Sequence, residues 1–233
     1  MMVMGAVVGP VSWAMAAGSL SHDAVARLSG SVNADEARFL PDLEVVNGCQ
    51  PYAAVQDDGS YSAGIKATGS ETGACMGNGS GQTIVRSRCE DSGICAYMYA
   101  LYFPKDQGMV AGVATPGVGH RHEWENVVVW VRDGAVAAVS FSQHHGYEIK
   151  PVDQVTMRGS AVSVQYGTGG DTTHSFRPGS GGGSPMPSSV SLESITSAAR
   201  STFNVPDTWG EIDFPERNDN FATKLAKARP AWL

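Results

Sequence analysis

The run Asn126-Val127-Val128-Val129-Trp130-Val131 constrains this chain most, because it is apolar, rich in β-branched residues and too short for a helix of ordinary length. It reads as a buried strand. Arg132-Asp133-Gly134 follows, and residues 135–141 repeat a strand pattern. Asp-Gly between two such patterns predicts a tight hairpin, since that turn needs positive φ. Immediately before the run stands Gly119-His120-Arg121-His122-Glu123-Trp124-Glu125. No core strand needs two imidazoles, two carboxylates and a guanidinium at its mouth. Burying such groups costs several kcal/mol each unless they are paired or metal-bound, so the cluster reads as a site, and its oxygen-plus-imidazole content as a metal site.

The heptapeptide resembles Gly-His-Arg-His-Asp-Trp-Glu, the hallmark of the necrosis- and ethylene-inducing peptide-like proteins (NLPs), secreted cytolysins of plant-associated microbes. Here the fifth position is Glu123. Other stretches match in the family's order: Ser21-His22-Asp23-Ala24-Val25, Gly48-Cys49-Gln50-Pro51-Tyr52-Ala53-Ala54-Val55, Met98-Tyr99-Ala100-Leu101-Tyr102-Phe103-Pro104-Lys105-Asp106, His145-Gly146-Tyr147, and Asp219-Asn220-Phe221 through Leu225-Ala226-Lys227-Ala228. The resemblance covers essentially everything after residue 20.

A chain of 233 residues can bury a substantial core and is of normal length for one all-β domain. Its net charge of −7 argues against a nucleic-acid partner, and against simple adsorption to an anionic membrane. Residues 1–17 are apolar and end in small residues, Ala14-Met15-Ala16-Ala17, which predicts a secretory signal peptide followed by one domain over residues 18–233. In an exported protein Cys49, Cys75, Cys89 and Cys95 predict two disulfides, and the spacing leaves three pairings open. The resemblance implies Cys49 with Cys75, leaving Cys89 with Cys95.

Along the chain, residues 22–40 have helical composition interrupted by Ser29-Gly30-Ser31, so at most one short helix is expected on each side. Residues 59–81 and 179–187 read as loops, and 94–103 as a central strand buried on both faces. Val162, Val164 and Tyr166 alternate with polar residues, as in a strand with one wet face. A helix is expected over 191–203 with Leu192, Ile195, Ala199 and Thr202 on one side. Another is expected after an N-cap at Asp219 or Asn220, with Phe221, Leu225 and Ala228 forming a stripe. The fold class is β-rich α+β, a central β-sandwich with peripheral helices. The resemblance implies the same architecture and likens it to the actinoporins.

In a flat strand His120 and His122 would share one face and Glu123 and Glu125 the other. One ion collects His120, Glu123 and Glu125 only if the segment curls as a loop before a strand that begins at Asn126. Asp106, at the end of the preceding strand, is expected to add a carboxylate. Three carboxylates and one imidazole suit Ca²⁺, Mg²⁺ or Mn²⁺ better than Zn²⁺. The resemblance implies the same four ligands, with a shorter spacing from Asp106 to His120 than here. Arg121 is expected to be a salt-bridge partner that holds the acids apart, His122 to hydrogen-bond around the ligands, and Trp124 to be core. His144 is expected to be a solvated strand residue, and His145 to line the same cavity. The loop with Asp171 and His174 corresponds to one that helps receive a sugar headgroup.

The function implied is that of a secreted cytolysin. It would bind glycosyl inositol phosphoryl ceramides in the outer leaflet of the plant plasma membrane, aided by a bound divalent cation, and would be monomeric in solution. The alternative is a non-lytic NLP, either a glycan- or lipid-binding module or an immune-recognised pattern. A metal-dependent hydrolase is disfavoured. His122-Glu123-Trp124-Glu125-Asn126 has Asn where the zincin helix has its second His, it sits in a strand pattern, and no Gly-x-Ser-x-Gly accompanies it.

Overall fold

Apolar β-branched and aromatic runs separated by glycine turns produce a chain dominated by strands. The computed structural model describes residues 17–144, 146–169 and 172–233. The expected signal segment, apart from Ala17, and the candidate residues His145 and Asp171 lie outside the described residues. The first half contains β1 (Ser19–Leu20), α1 (Ala34–Arg38), β2 (Asp42–Val45), β3 (Tyr61–Ser62), β4 (Thr83–Cys89), β5 (Ile94–Val110) and β6 (Val113–Arg132). The second contains β7 (Ala135–Gln143), β8 (Gly146–Pro151), β9 (Met157–Arg158), β10 (Ala161–Gly167), β11 (Ser175–Pro178), β12 (Ser184–Pro185), β13 (Ser189–Ser191), α2 (Ser197–Phe203) and α3 (Phe221–Ala228).

One sheet has the order β13-β4-β5-β6-β7-β8, and a second has β11-β10-β2-β12 with β9 on β10. Between them lies the main core, where Leu101, Phe103, Val127, Val129 and Phe141 meet Val164, Tyr166 and Phe176. Phe103 stacks on Tyr166 at 3.9 Å between ring centroids. The outer face of the large sheet is apolar too, and α3 covers it by laying Phe221, Leu225 and Ala228 over Met98, Val128 and Trp130. The central strands are therefore buried on both sides, as their unbroken apolar runs require.

The predicted hairpin forms at Asp133 and Gly134, with φ of 53° and 76°. The α3 stripe falls where expected, after Asn220. Both disulfides form, Cys49–Cys75 and Cys89–Cys95. On either side of residues 29–31 the chain keeps to at most one short helix, as expected, with a turn before Ser29 and α1 after Ser31. Three expectations are corrected. The central strand continues past Phe103 to Val110, because Lys105, Asp106 and Gln107 are buried polar residues that look like loop in a sequence. The helix expected over 191–203 starts only after Thr196, whose hydroxyl caps Ala199 N–H, while residues 189–191 pair with β4. Finally, the polar positions of β10 are not wet: in this strand between β2 and β11, Ser163 is buried and Gln165 half-buried.

Candidate functional site

β5 and β6 are the longest strands, and their shared register places Asp106 opposite His120. Gly119 makes the approach possible. It has φ of 97°, and a Cβ there would lie 2.1 Å from the Asp106 carbonyl oxygen.

The heptapeptide is not a loop, contrary to the sequence expectation; all of it lies inside β6. What breaks the strict alternation is His122, whose backbone is left-handed at φ 61°. The ladder pairs Phe103 with Glu123 and Lys105 with Arg121, and skips Pro104 and His122 between them. Proline has no N–H to give, so the left-handed residue opposite it interrupts little hydrogen bonding. Past this point both strands have changed face. Phe103 packs on Tyr166, and so does His174, the partner of Asp106. His120 and Glu123, three residues apart, thereby meet.

Their donors converge. One ligand atom each from Asp106, His120 and Glu123 lies within 4.8 Å of the others. Nε2 of His120 is 3.3 Å from Glu123 Oε2 and 3.8 Å from Asp106 Oδ2. Its Nδ1 is 2.7 Å from the carbonyl of His122, which can only accept, so Nδ1 carries a proton and Nε2 faces the acids. Asp106 is fully buried, Glu123 and Glu125 nearly so. Burial pushes the Glu123 carboxyl well up, and the charges of Glu125 and Asp106 push it further. Burial likewise raises Glu125 to about 8, eased by the Ser142 hydroxyl that donates to it. Such a cluster of acceptors is held apart by its own repulsion unless a cation or protons join it. The donor set of hard oxygens with one imidazole fits a divalent ion of the Ca²⁺, Mg²⁺ or Mn²⁺ type.

A second layer surrounds it. His174 is 1% exposed, not solvent-facing as a headgroup contact would require; Nδ1 lies 2.6 Å from Asp106 Oδ1 and Nε2 2.9 Å from Glu71 Oε1. Burial disfavours the charged ring, but the bonds and charges of Asp106 and Glu71 outweigh it and its pKa is raised. Arg121 does not bridge the acids; its guanidinium donates to the Ala63 and Gly64 carbonyls at 2.7 and 3.1 Å. The imidazole of His122 also turns away, into an aromatic group with Tyr102 and Trp209, and only its carbonyl serves the site. Trp124 is core, as expected, packed on Phe203, Trp209 and Phe214. His144 is solvent-exposed, as expected, in the turn after β7, with its ring near the Thr173 hydroxyl.

A cleft of about 460 Å³ opens onto His120, Glu123 and Glu125 and is walled by Asn126, Tyr147, Lys224 and Lys227. The two lysines, from α3, set positive charge beside the acids in a protein of net charge −7. On the far side of His120 a second cleft of about 550 Å³ is lined by Tyr61, Arg121, His122 and Asp207.

Residues 33–228 match the family described as Necrosis inducing protein (NPP1). This chain is a member of that family. It is 37% identical over 196 residues to NLP effector protein 10 of Phytophthora capsici, covering 82% of this chain and 80% of that one. It is 34% identical over 220 residues to Necrosis-inducing protein NPP1 of Phytophthora nicotianae, covering 90% of each. Among solved structures, Necrosis and Ethylene inducing Protein 2 from the agent of cocoa's Witches Broom disease superposes with a TM-score of 0.84 at 30% identity, over 92% of this chain and 100% of that one. NLPPya in complex with mannosamine superposes at 0.80 and 35%, over 91% and 99%. The non-toxic HaNLP3 protein superposes at 0.79 and 31%, over 90% and 99%. The fold is thus the actinoporin-like sandwich of the NLP proteins, and the relatives are effectors and necrosis-inducing proteins.

Of the sequence-derived ligands, Asp106, His120 and Glu123 are brought together, with Glu125 on their flank held by Ser142. Sequence reasoning missed Glu71 and Lys105. The latter is 1% exposed, with Nζ donating to the Ser70 carbonyl at 2.8 Å. A lysine inside a continuous strand beside a site acid was the available signal for Lys105; for Glu71, in a loop rich in glycine and serine, there was none.

Proposed function

We propose that this NLP-family chain is a secreted phytotoxic cytolysin. Its mature domain spans residues 18–233 and follows a signal peptide over residues 1–17. A divalent cation, Ca²⁺ or Mg²⁺ (Mn²⁺ also fits), is held by Asp106, His120 and Glu123 with Glu125 at its edge, and helps receive the sugar headgroup of glycosyl inositol phosphoryl ceramides in the outer leaflet of the plant plasma membrane. The observation that carries this reading is the convergence of three ligand atoms within 4.8 Å, with His120 and Glu123 lining an open polar cleft and Asp106 buried behind them. A cation would offset the repulsion of the buried acids and leave coordination positions toward the cleft. The cleft's lysines and amide groups match an anionic, hydroxyl-rich headgroup better than an apolar ligand. The complex of a relative with mannosamine supports sugar as the ligand class.

The test is leakage of vesicles containing these sphingolipids, with and without chelator, for wild type and Glu123→Ala. Leakage lost in chelator, restored by Ca²⁺ or Mg²⁺ and absent in the variant supports the reading. Undiminished leakage under excess chelator sinks it.

A second reading is favoured by one observation: a non-toxic relative has nearly the same fold. Under it, the chain binds the same glycan without lysis and acts as a binding module or an immune-recognised pattern. Glycan binding measured without leakage would select it.

A further inference from the structure

Two contacts tie the loop over residues 66–75 to the candidate cation site, two more anchor its end, and none was needed for the reading above. Glu71 Oε1 accepts from Nε2 of His174, whose Nδ1 donates to Asp106 Oδ1. Lys105 Nζ, one residue before Asp106, donates to Ser70 O. Cys49–Cys75 staples the end of the loop, and Gln50 N–H donates to the Cys75 carbonyl at 2.9 Å. Gly48, next to that staple, presses on the same ring: a Cβ there would lie 2.5 Å from His174 Nε2.

We infer that Glu71 is a positioning residue for the cation site, acting through His174 on Asp106; the inference rests on the cation reading above. Both ring nitrogens of His174 face carboxylate oxygens, so both must donate, and the ring has one orientation that satisfies both acids. That orientation occupies Oδ1 of Asp106 and leaves Oδ2 turned toward His120. Stacking on Tyr166 at 5.1 Å and the wall at Gly48 fix the ring plane up to a flip about Cβ–Cγ, and the bonds to Asp106 and Glu71 together select the flip, Glu71 holding the end of the ring remote from Asp106. Without Glu71, Nε2 loses that acceptor and the bond to Asp106 alone must hold the ring in place. Partners that orient a metal ligand in this way are worth about 10–100-fold in metal affinity. Through Glu71 the disulfide loop, remote in sequence, becomes part of the cation site.

The test is Ca²⁺ affinity by calorimetry on the full mature chain, with thermal melting of each variant in chelator. Glu71→Ala should weaken Ca²⁺ binding by about 10–100-fold, whereas Glu71→Gln, whose amide oxygen still accepts from Nε2, should stay within about threefold of wild type. Both variants should stay folded in chelator, the alanine variant melting somewhat lower because the buried Nε2 loses its acceptor, and the His174 ring resonances should shift only in the alanine variant. Should Glu71→Ala not fold, Glu71→Asp, one methylene short, should still lose about tenfold. If the alanine and aspartate variants bind Ca²⁺ like wild type while Asp106→Ala does not, the role of Glu71 is overturned and the site stands. If wild type takes up no Ca²⁺, or Asp106→Ala binds it normally, the cation reading falls and this inference with it.

Discussion

The phenol of Tyr102 and Nδ1 of His122 lie 2.7 Å apart, buried beneath the site and not within it. Burial, with Arg121 and His120 nearby, lowers the imidazole's pKa to about 4, so it is a neutral partner of the phenol. His122→Ala therefore removes aromatic packing and a hydrogen bond, but keeps the carbonyl that orients His120. It should cost about 2–3 kcal/mol of stability in urea titrations. Ca²⁺ affinity should change by less than about threefold, since no group around the ligands is lost. A tenfold loss of affinity would place the ring of His122 back among the groups that tune the ligands.

Glu123 should show opposite effects with and without cation. Its carboxyl is buried beside Glu125 and Asp106, and burial and those charges both disfavour its ionised form. Glu123→Gln relieves that repulsion, so in chelator the variant should melt above wild type. Its divalent affinity should fall at least about tenfold, because a charged ligand oxygen is gone. Melting curves with and without Ca²⁺ should cross between the two proteins.

Glu216 carries a pH dependence unrelated to the site. It is fully buried, and burial raises its pKa well above normal despite the Arg86 charge and the Arg86 backbone N–H nearby. A carboxyl with a raised folded pKa stabilises most below its unfolded pKa, near 4.5, and that contribution is lost as pH climbs toward the folded value. Glu216→Gln should therefore be more stable than wild type at pH 7, with the advantage vanishing near pH 4. An equal difference at both pH values would show that the carboxyl does not titrate differently on folding.

The two disulfides should contribute unequally. Cys49–Cys75 spans 26 residues and Cys89–Cys95 spans 6. On loop entropy alone, removing the first should cost about 3.5 kcal/mol and the second about 2 kcal/mol. Paired Cys→Ser variants compared by denaturant unfolding will give the order; the short ring costing more would contradict it.

How much was legible depended on whether a residue's role was local. The 126–131 strand, the Asp133-Gly134 turn and the Phe221, Leu225, Ala228 stripe follow from patterning over a few residues, and all three are present. The place of the site was legible because the heptapeptide concentrates titratable groups no strand needs. Its construction was not. Nothing in the composition of residues 119–125 announces a left-handed His122, and without it His120 and Glu123 belong on opposite faces. Leu192 and Ile195 are buried as expected, yet a turn presents them, because helical spacing over so few residues is also met by a chain crossing a core. For His174 the resemblance implies a part in receiving a sugar headgroup, and nothing in its polar loop signals a buried ring between Asp106 and Glu71, 103 residues earlier.

The skipped pair Pro104 and His122 also governs which changes of length this hairpin tolerates. Each strand spends one residue there, directly across from the other, so both strands change face at the same rung. Replacing either residue alters local chemistry and keeps the count. Deleting only one slides every rung beyond it and sets Asp106 against the wrong neighbour, although no ligand has been touched. Removing both restores a matched ladder, and so the two positions can be lost only together.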